Sequence, residues 1–414
     1  MIDKLEPKKL GLLGSLYVTQ FLPIAFFLQA LPAFLRQSGA SLATIGLIYT
    51  VALPWLFKFI WSPLIDRYGW TRWGHYRFWI ICLQSLTALI LVISAFLDVQ
   101  NDFVVLFVCL FVIGFLAATQ DIATDALAVS LLDERERGIG NGVQIAGNFL
   151  GAIVGGGGML ILLDRIGWTA SVLLMALCTV LALIPTLQYE ERGREKGNFI
   201  QNSKLKKSYF KTLTNFFRRP EMGGWLSIVL LYMTGSELAT TMFQPLLVDI
   251  GLSIAQIGWL MGVAGLCAGL VGGLVGGLSI QPLGRKRSLM LFGLLQAIAV
   301  ATYIIPAMGV TSLPVLYAIA IGFRFTNGLA ITALSTVMMD KSEPQTAGTD
   351  YTIQNSISAI GSRGASAFSG FIAGAIGYVG FFIVCIALSL FGVAIVVKVF
   401  QASNRQTTVT TNTR

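Results

Sequence analysis

Histidine occurs once in the 414 residues, as His75 in a polar loop, so imidazoles cannot build a metal cluster or a catalytic base among the apolar runs. Cys82, Cys109, Cys178, Cys267 and Cys385 all fall inside such runs without metal-ligand spacing; five buried, reduced thiols are expected. A GxxxxGK[ST] loop is absent, which excludes an ATP motor encoded in this chain. Charged residues make up only 12%, against about 25% in a soluble domain. No nucleophile–base pair stands in the apolar runs, so an enzyme is not expected. A receptor with a sizeable extramembrane module is not expected either.

Apolar residues fill the space that charge leaves. They make up 55% of the chain, and the mean hydropathy is +0.75. Runs of about 20 apolar residues recur, each long enough for a bilayer core of about 30 Å. Twelve runs can be read between residues 9 and 401, the second over 43–65, the fourth over 103–131 and the eleventh over 346–375. The expected class is therefore an all-α membrane protein of twelve transmembrane helices. The charged start "MIDKLEPKKLG" precedes a run too long for a signal-peptide core, so it is read as a retained first helix.

The longest polar connection, 190–222, divides the chain into a six-helix bundle at 1–189 and another at 223–401, with a disordered tail at 402–414. Basic residues set the orientation. With both termini in the cytoplasm, Arg67, Arg72, Arg77, Arg135, Arg137, the linker and "GRKR" (284–287) all lie inside, and the outer loops keep only Arg36 and Arg165. Because the net charge of +9 sits in these short loops, it marks topology and not a nucleic-acid partner.

The halves repeat each other. "SLATIGL" (41–47) matches "SIAQIGW" (253–259), "IGF" recurs at 113–115 and 321–323, Gly39 corresponds to Gly251, and Asp133 follows the fourth run as Asp340 follows the tenth. Two parallel repeats of six spans resemble the major facilitator superfamily. "SPLIDRYGWTR" (62–72) resembles its signature after the second span through Leu64, Asp66, Arg67 and Gly69. Ser62 replaces the first glycine, and the second copy has Gln281 at the Asp position. The resemblance implies a gating role for Asp66 and Arg67, which latch the halves; an ordinary solvated loop is the alternative.

Six ionisable residues fall well inside the runs: Lys58, Asp121, Asp125, Glu237, Arg324 and Arg363. Each costs about 2.5–3.5 kcal/mol at a helix centre, so partners or a wet cavity are required. Asp121 and Asp125, four residues apart in "ATQDIATDALAV" (118–129), share one helix face. Lys58 matches Asp125 in depth by residue count, which suggests a Lys58–Asp125 pair and leaves Asp121 deeper, placed to take up and release a proton. A static salt bridge and direct substrate contact are the alternatives. In the superfamily spans 1, 4, 7 and 10 line the cavity. The resemblance therefore makes Asp121, Asp125 and Glu237 proton-coupling candidates, and Arg324, Gln20, Gln29 and Gln244 substrate-binding candidates. Arg324 suits an anionic group. Arg363 is expected to pair structurally with Glu237. Gly147, Gly151 and Gly155, spaced by four, predict close helix packing.

"LPWLFKFIWSPLIDR" (53–67) and "ATQDIATDALAV" resemble one group of the superfamily: muropeptide permeases, acetyl-coenzyme A transporters and rhizobactin/pyochelin siderophore permeases. The marks are Lys58, Trp61, Pro63, Asp66, Gln120 and Asp121. The compact length and the "DIATDALAV" wording look most like the siderophore permeases. The resemblance implies a monomeric proton-driven importer of a ferric siderophore, or a similar bulky polar anion, in a bacterial inner membrane. A muropeptide permease and an exporter are the alternatives. Protons, a small solute and the bilayer are the expected partners, with no cofactor, metal or ATPase subunit.

Overall fold

The computed structural model describes residues 6–37, 48–69, 72–99, 101–191, 209–219, 221–366 and 368–399. The first copy of the repeat at 41–47, most of the expected linker and the tail 402–414 lie outside them. Among the described residues there is no strand. Nine helices among these residues are long and apolar enough to cross a membrane. The nine reconcile with twelve spans once three departures from a straight rod are recognised. Arg137–Gln188 is one continuous run covering two spans. The eleventh helix is too polar to qualify by composition. The second span is broken into short pieces.

In chain order the helices that matter are α1 (Pro7–Ala25), α2 (Ser62–Arg67), α3 (Tyr76–Ala95), α4 (Phe103–Leu131), α5 (Arg137–Ala152) and α6 (Met159–Leu181). After the linker come α7 (Thr234–Asp249), α8 (Leu266–Leu283), α9 (Arg285–Ala301), α10 (Leu313–Asp340), α11 (Ala347–Ser366) and α12 (Ser369–Val399). The repeat is visible in the backbone itself. α6 bends at Gly167 (φ 75, ψ 179) and α12 at Gly377 (φ 71, ψ 170). These are corresponding corners of the two halves, and only glycine adopts that conformation without cost.

Apolar side chains such as Leu89, Val104 and Phe371 point outward and are exposed, as a lipid-facing wall requires. The same geometry corrects the thiol expectation. All five cysteines are free, but Cys82 and Cys267 lie exposed on the outer wall and only Cys385 is buried. An apolar run in a bundle has an outward face as well as an inward one.

The core shows where the halves join. One cluster, from Leu12 and Tyr17 through Ile122 and Leu127 to Leu334, Met338 and Tyr351, draws on both halves. It sits at the end of the bundle that carries Lys9, the linker and Asp340. Toward the other end the core divides: one cluster around Phe26, Leu91 and Met175 belongs to the first half, and another around Phe243, Tyr303 and Phe382 to the second. The bundle is therefore knit at the linker end and parted at the other. α5 and α8 make the tightest seam: a Cβ on Gly138 would meet Gly277 O at 2.9 Å, and one on Gly142 would meet Gly273 O at 2.9 Å. Within the first half, Gly147 and Gly151 lie against α1 at Tyr17 and Val18.

Candidate functional site

α4 runs unbroken through "ATQDIATDALAV", and every residue from Leu116 to Val129 is buried. Asp121 and Asp125 thus project from one face of a rigid rod into protein, 6% and 1% exposed. Two donors meet Asp121: Gln20 Nε2 of α1 on Oδ1 and Lys58 Nζ on Oδ2. Lys58 is itself buried, at 1% exposure. Among the described residues no cation pairs with Asp125. Its Oδ1 accepts from Tyr17 OH at 2.8 Å and from Gln144 Nε2 at 3.2 Å. Its Oδ2 is buried with no hydrogen-bond partner among the described residues.

Lys58 therefore pairs with Asp121, the reverse of the depth-count expectation. The count treated span 2 as a regular helix. Proline at 54 and 63 restarts the helix twice, and Lys58–Ile60 between them is a 3₁₀ turn. Such turns rise about 2.0 Å per residue in place of 1.5, which lifts Lys58 toward Asp121, and its flexible stem covers the remainder. Tyr17 takes the place left beside Asp125.

Asp121 also stands on the wall of a cavity of about 300 Å³ between the halves. Phe21, Trp55, Gln144 and Asn148 face it from the first half, and Glu237, Ser335 and Arg363 from the second. Glu237 reaches it because the seventh span breaks at Tyr232–Met233 and α7 restarts at Thr234. That places the carboxylate in a first turn, where the helix dipole favours it. Tyr351 of α11 lies beside Gln144 and Ser335, so a polar chain runs from Asp125 through Gln144 to the second half.

At the linker end, Asp66 closes α2 onto the start of α11. It accepts from Gly348 N at 3.0 Å, Thr349 N at 2.7 Å, Thr349 Oγ1 at 2.6 Å and Tyr76 OH at 2.8 Å. A carboxylate from one half thus caps a helix of the other, using N–H groups that have no partner within their own helix. Burial pushes the Asp66 carboxyl above its ordinary range, and the bonds from Thr349, Tyr76 and Gly348 oppose that rise. Asp340 makes a second bridge, to Arg137 Nη1 at 3.0 Å and Arg285 Nε at 2.7 Å. Arg219, just after the linker helix Tyr209–Phe217, holds Asp350 of α11 at 2.7 Å.

The remaining candidates are dispersed. Gln29 and Gln244 are exposed and lie off the cavity. Arg324 is half-buried against Gly265, not on the cavity wall. It shares a helix face with Ile331, which does line the cavity, but seven residues place it about 10 Å farther from the linker end. Arg363 holds the wall position instead. The expected Glu237–Arg363 pair is not in contact: no ion pair within 4.0 Å joins them among the described residues. Arg67 turns outward over the Tyr68 ring, 5.5 Å from its centre, whereas Asp66 bonds to α11. Sequence reasoning missed Tyr17, Gln144, Tyr351 and Trp55. Asn141, Gln144 and Asn148 did carry a signal, polar residues at helical spacing inside a run read as packing alone.

Residues 13–366 match the family model of the Major Facilitator Superfamily. An anhydromuropeptide permease of Escherichia coli (strain K12) is 28% identical over 377 residues, covering 90% of this chain and 75% of that protein. A putative transporter of Rickettsia conorii named AmpG 4 is 26% identical over 376 residues, covering 89% and 91%. Among solved structures, a bacterial homologue of the iron transporter ferroportin superposes with a TM-score of 0.70 at 18% identity, covering 95% of this chain and 99% of that one. The Escherichia coli fucose:proton symporter superposes with a TM-score of 0.70 at 15% identity, over the same shares. At such identities the structural likeness speaks for the fold alone.

Proposed function

The chain belongs to the major facilitator superfamily, and from that premise we propose that it is a proton-driven importer of an anhydromuropeptide across a bacterial inner membrane. The preference for a ferric siderophore rested on compact length and on one short stretch of the first half, "DIATDALAV". The Escherichia coli relative, matched over 90% of this chain, carries the anhydromuropeptide name, which supports that cargo over the iron chelate. Both termini and the linker lie in the cytoplasm in this reading, so the knit end faces inward and the parted end faces the periplasm. A solute larger than the cavity extends from it toward the parted end, where Arg324 offers a further cation.

One observation carries the transport reading. A cavity bounded by both halves has on its wall a carboxylate, Asp121, whose neighbour Asp125 keeps an oxygen that no donor reaches. That oxygen is where a proton enters, since a buried carboxylate oxygen that no donor reaches is far costlier charged than as a neutral acid. A protonated Asp125 changes what Tyr17 and Gln144 bond to. Gln144 borders Tyr351, two residues beyond the Thr349 that holds the Asp66 latch. Proton and gate are thus a few side chains apart.

The test is Asp125→Asn in proteoliposomes. Anhydromuropeptide uptake driven by an inward proton gradient is expected to fall about 100-fold, with solute exchange at equal pH retained. Uptake that still follows the gradient as in the parent protein removes Asp125 from the coupling.

A further inference from the structure

Glu237 and Arg363 face the cavity from α7 and α11 and are close enough for each to act on the other's charge. Yet neither forms an ion pair within 4.0 Å, and neither side chain has a hydrogen bond among the described residues. Lys58 and Asp121 show the alternative: a buried pair in direct contact, each satisfying the other. Arg363 is exposed and Glu237 half-buried on the cavity wall, so the two opposite charges stay apart. A plain anion would answer only Arg363, and a cation only Glu237. A group carrying both an ammonium and a carboxylate answers both.

Resting on the transport reading above, we propose that Glu237 and Arg363 clamp a zwitterionic, amino-acid-like end of the solute. The guanidinium takes the carboxylate in its planar fork and the Glu237 carboxylate takes the ammonium. The rest of the cavity fits a molecule with one such end. Ser358, Ser362 and Ser366 follow Arg363's helix at four-residue spacing on the same wall. Ser362 and Ser366 donate to the carbonyls of Ser358 and Ser362 at 2.9 and 2.8 Å, which leaves their oxygens free to accept from the solute. Across the cavity, Trp55 and Phe21 of the first half offer flat apolar faces, which suit a ring. A sugar–peptide therefore lies with its peptide end on the second half and its ring on the first. The clamp selects by holding both charges at a set separation.

Binding to the full-length protein in nanodiscs tests this with three anhydromuropeptide probes: unmodified, acetylated at the peptide amine, and amidated at the carboxyls. The parent protein is expected to bind each capped form about tenfold more weakly, the loss of one charge-assisted contact. Arg363→Gln binds the unmodified probe about tenfold more weakly and no longer distinguishes the amidated form; Glu237→Gln behaves likewise toward the acetylated form. Arg363→Lys recovers part of the preference, and unchanged melting temperatures show that the variants fold. Variants that discriminate among the probes as the parent does overturn the clamp. A parallel series of free and end-capped tripeptides separates clamp from cargo. If the parent ignores every muropeptide but prefers free tripeptides, the cargo reading fails and the clamp stands. If it shows no preference in either series, the clamp is wrong.

Discussion

The contact between spans 2 and 4 and its counterpart between spans 8 and 10 solve one packing problem in opposite ways. In the first half, Lys58 and Asp121 meet across the gap, with Gln20 as a third party. Carried across by the repeat, Lys58 falls within the glycine run 269–277 and Asp121 falls at Gly328 or Leu329. There the backbones touch: a Cβ on Gly328 would meet Gly273 N at 2.7 Å and collide with Gly269 O. Gly272 approaches Phe325 O as closely, and Thr332 Oγ1 reaches Gly273 O at 3.4 Å. One half spends its interhelical space on ionisable side chains, and the other removes the space. A pair of charges can change partners when a proton arrives; two abutting backbones cannot. Duplication supplied matching scaffolds, and the buried charge pair between these spans was placed in one of them.

That contrast can be broken most severely at Lys58. Lys58→Met leaves Asp121 buried without its cation, and a loss of about 3–5 kcal/mol of stability is expected, read by thermal unfolding in detergent. Combining Lys58→Met with Asp121→Leu is expected to recover most of the stability and none of the transport. Recovery of both would mean that the pair is scaffold alone.

On the other side of the comparison, Gly328→Ala is expected to cost about 1–3 kcal/mol through forced separation of α8 and α10. Its effect on the pH dependence of transport should be nil, because no titrating group is touched. A shifted pH profile in surviving protein would dissolve the distinction between an ionisable interhelical contact and a rigid one.

The smallest effect is expected at the latch. Asp66 holds a proton more readily when capping α11 than when solvated, since burial raises its carboxyl and the hydrogen bonds only partly offset that. More protons are then bound in the latched form, so acidification favours it and rising pH weakens it. Asp66→Asn keeps the shape, removes the charge-assisted bonds and is expected to weaken the latch by about 1–2 kcal/mol. Distances between spectroscopic labels on the two halves, followed across pH, report both effects. An unchanged pH response in Asp66→Asn assigns the dependence elsewhere.

The twelve spans were legible because bilayer thickness imposes a length that composition cannot conceal, and the charged positions were legible because each is costly in lipid. Their partners were harder to read. Lys58 was assigned to the wrong aspartate, since two prolines and a 3₁₀ turn change the rise of span 2 by an amount no residue count includes. Arg324 and Arg363 differ in role by two helical turns along neighbouring helices, a difference invisible in a hydropathy pattern. Tyr17 and Gln144 went unnoticed because a polar residue in an apolar run is cheap enough to need no explanation until its neighbour is known.

Sequence alone determined that this protein lives in a bilayer, that it is doubled, and that a few ionisable residues had to find company inside it. Those conclusions follow from transfer energies and periodicity, which are local properties of the chain. Only the tertiary structure decided which carboxylate meets the lysine, which is left with an open oxygen, which arginine reaches the cavity and which end of the bundle is sealed. Such choices are set by ångström-scale heights and rotations of helices packed against distant partners, and side-chain contacts respond to exactly that scale.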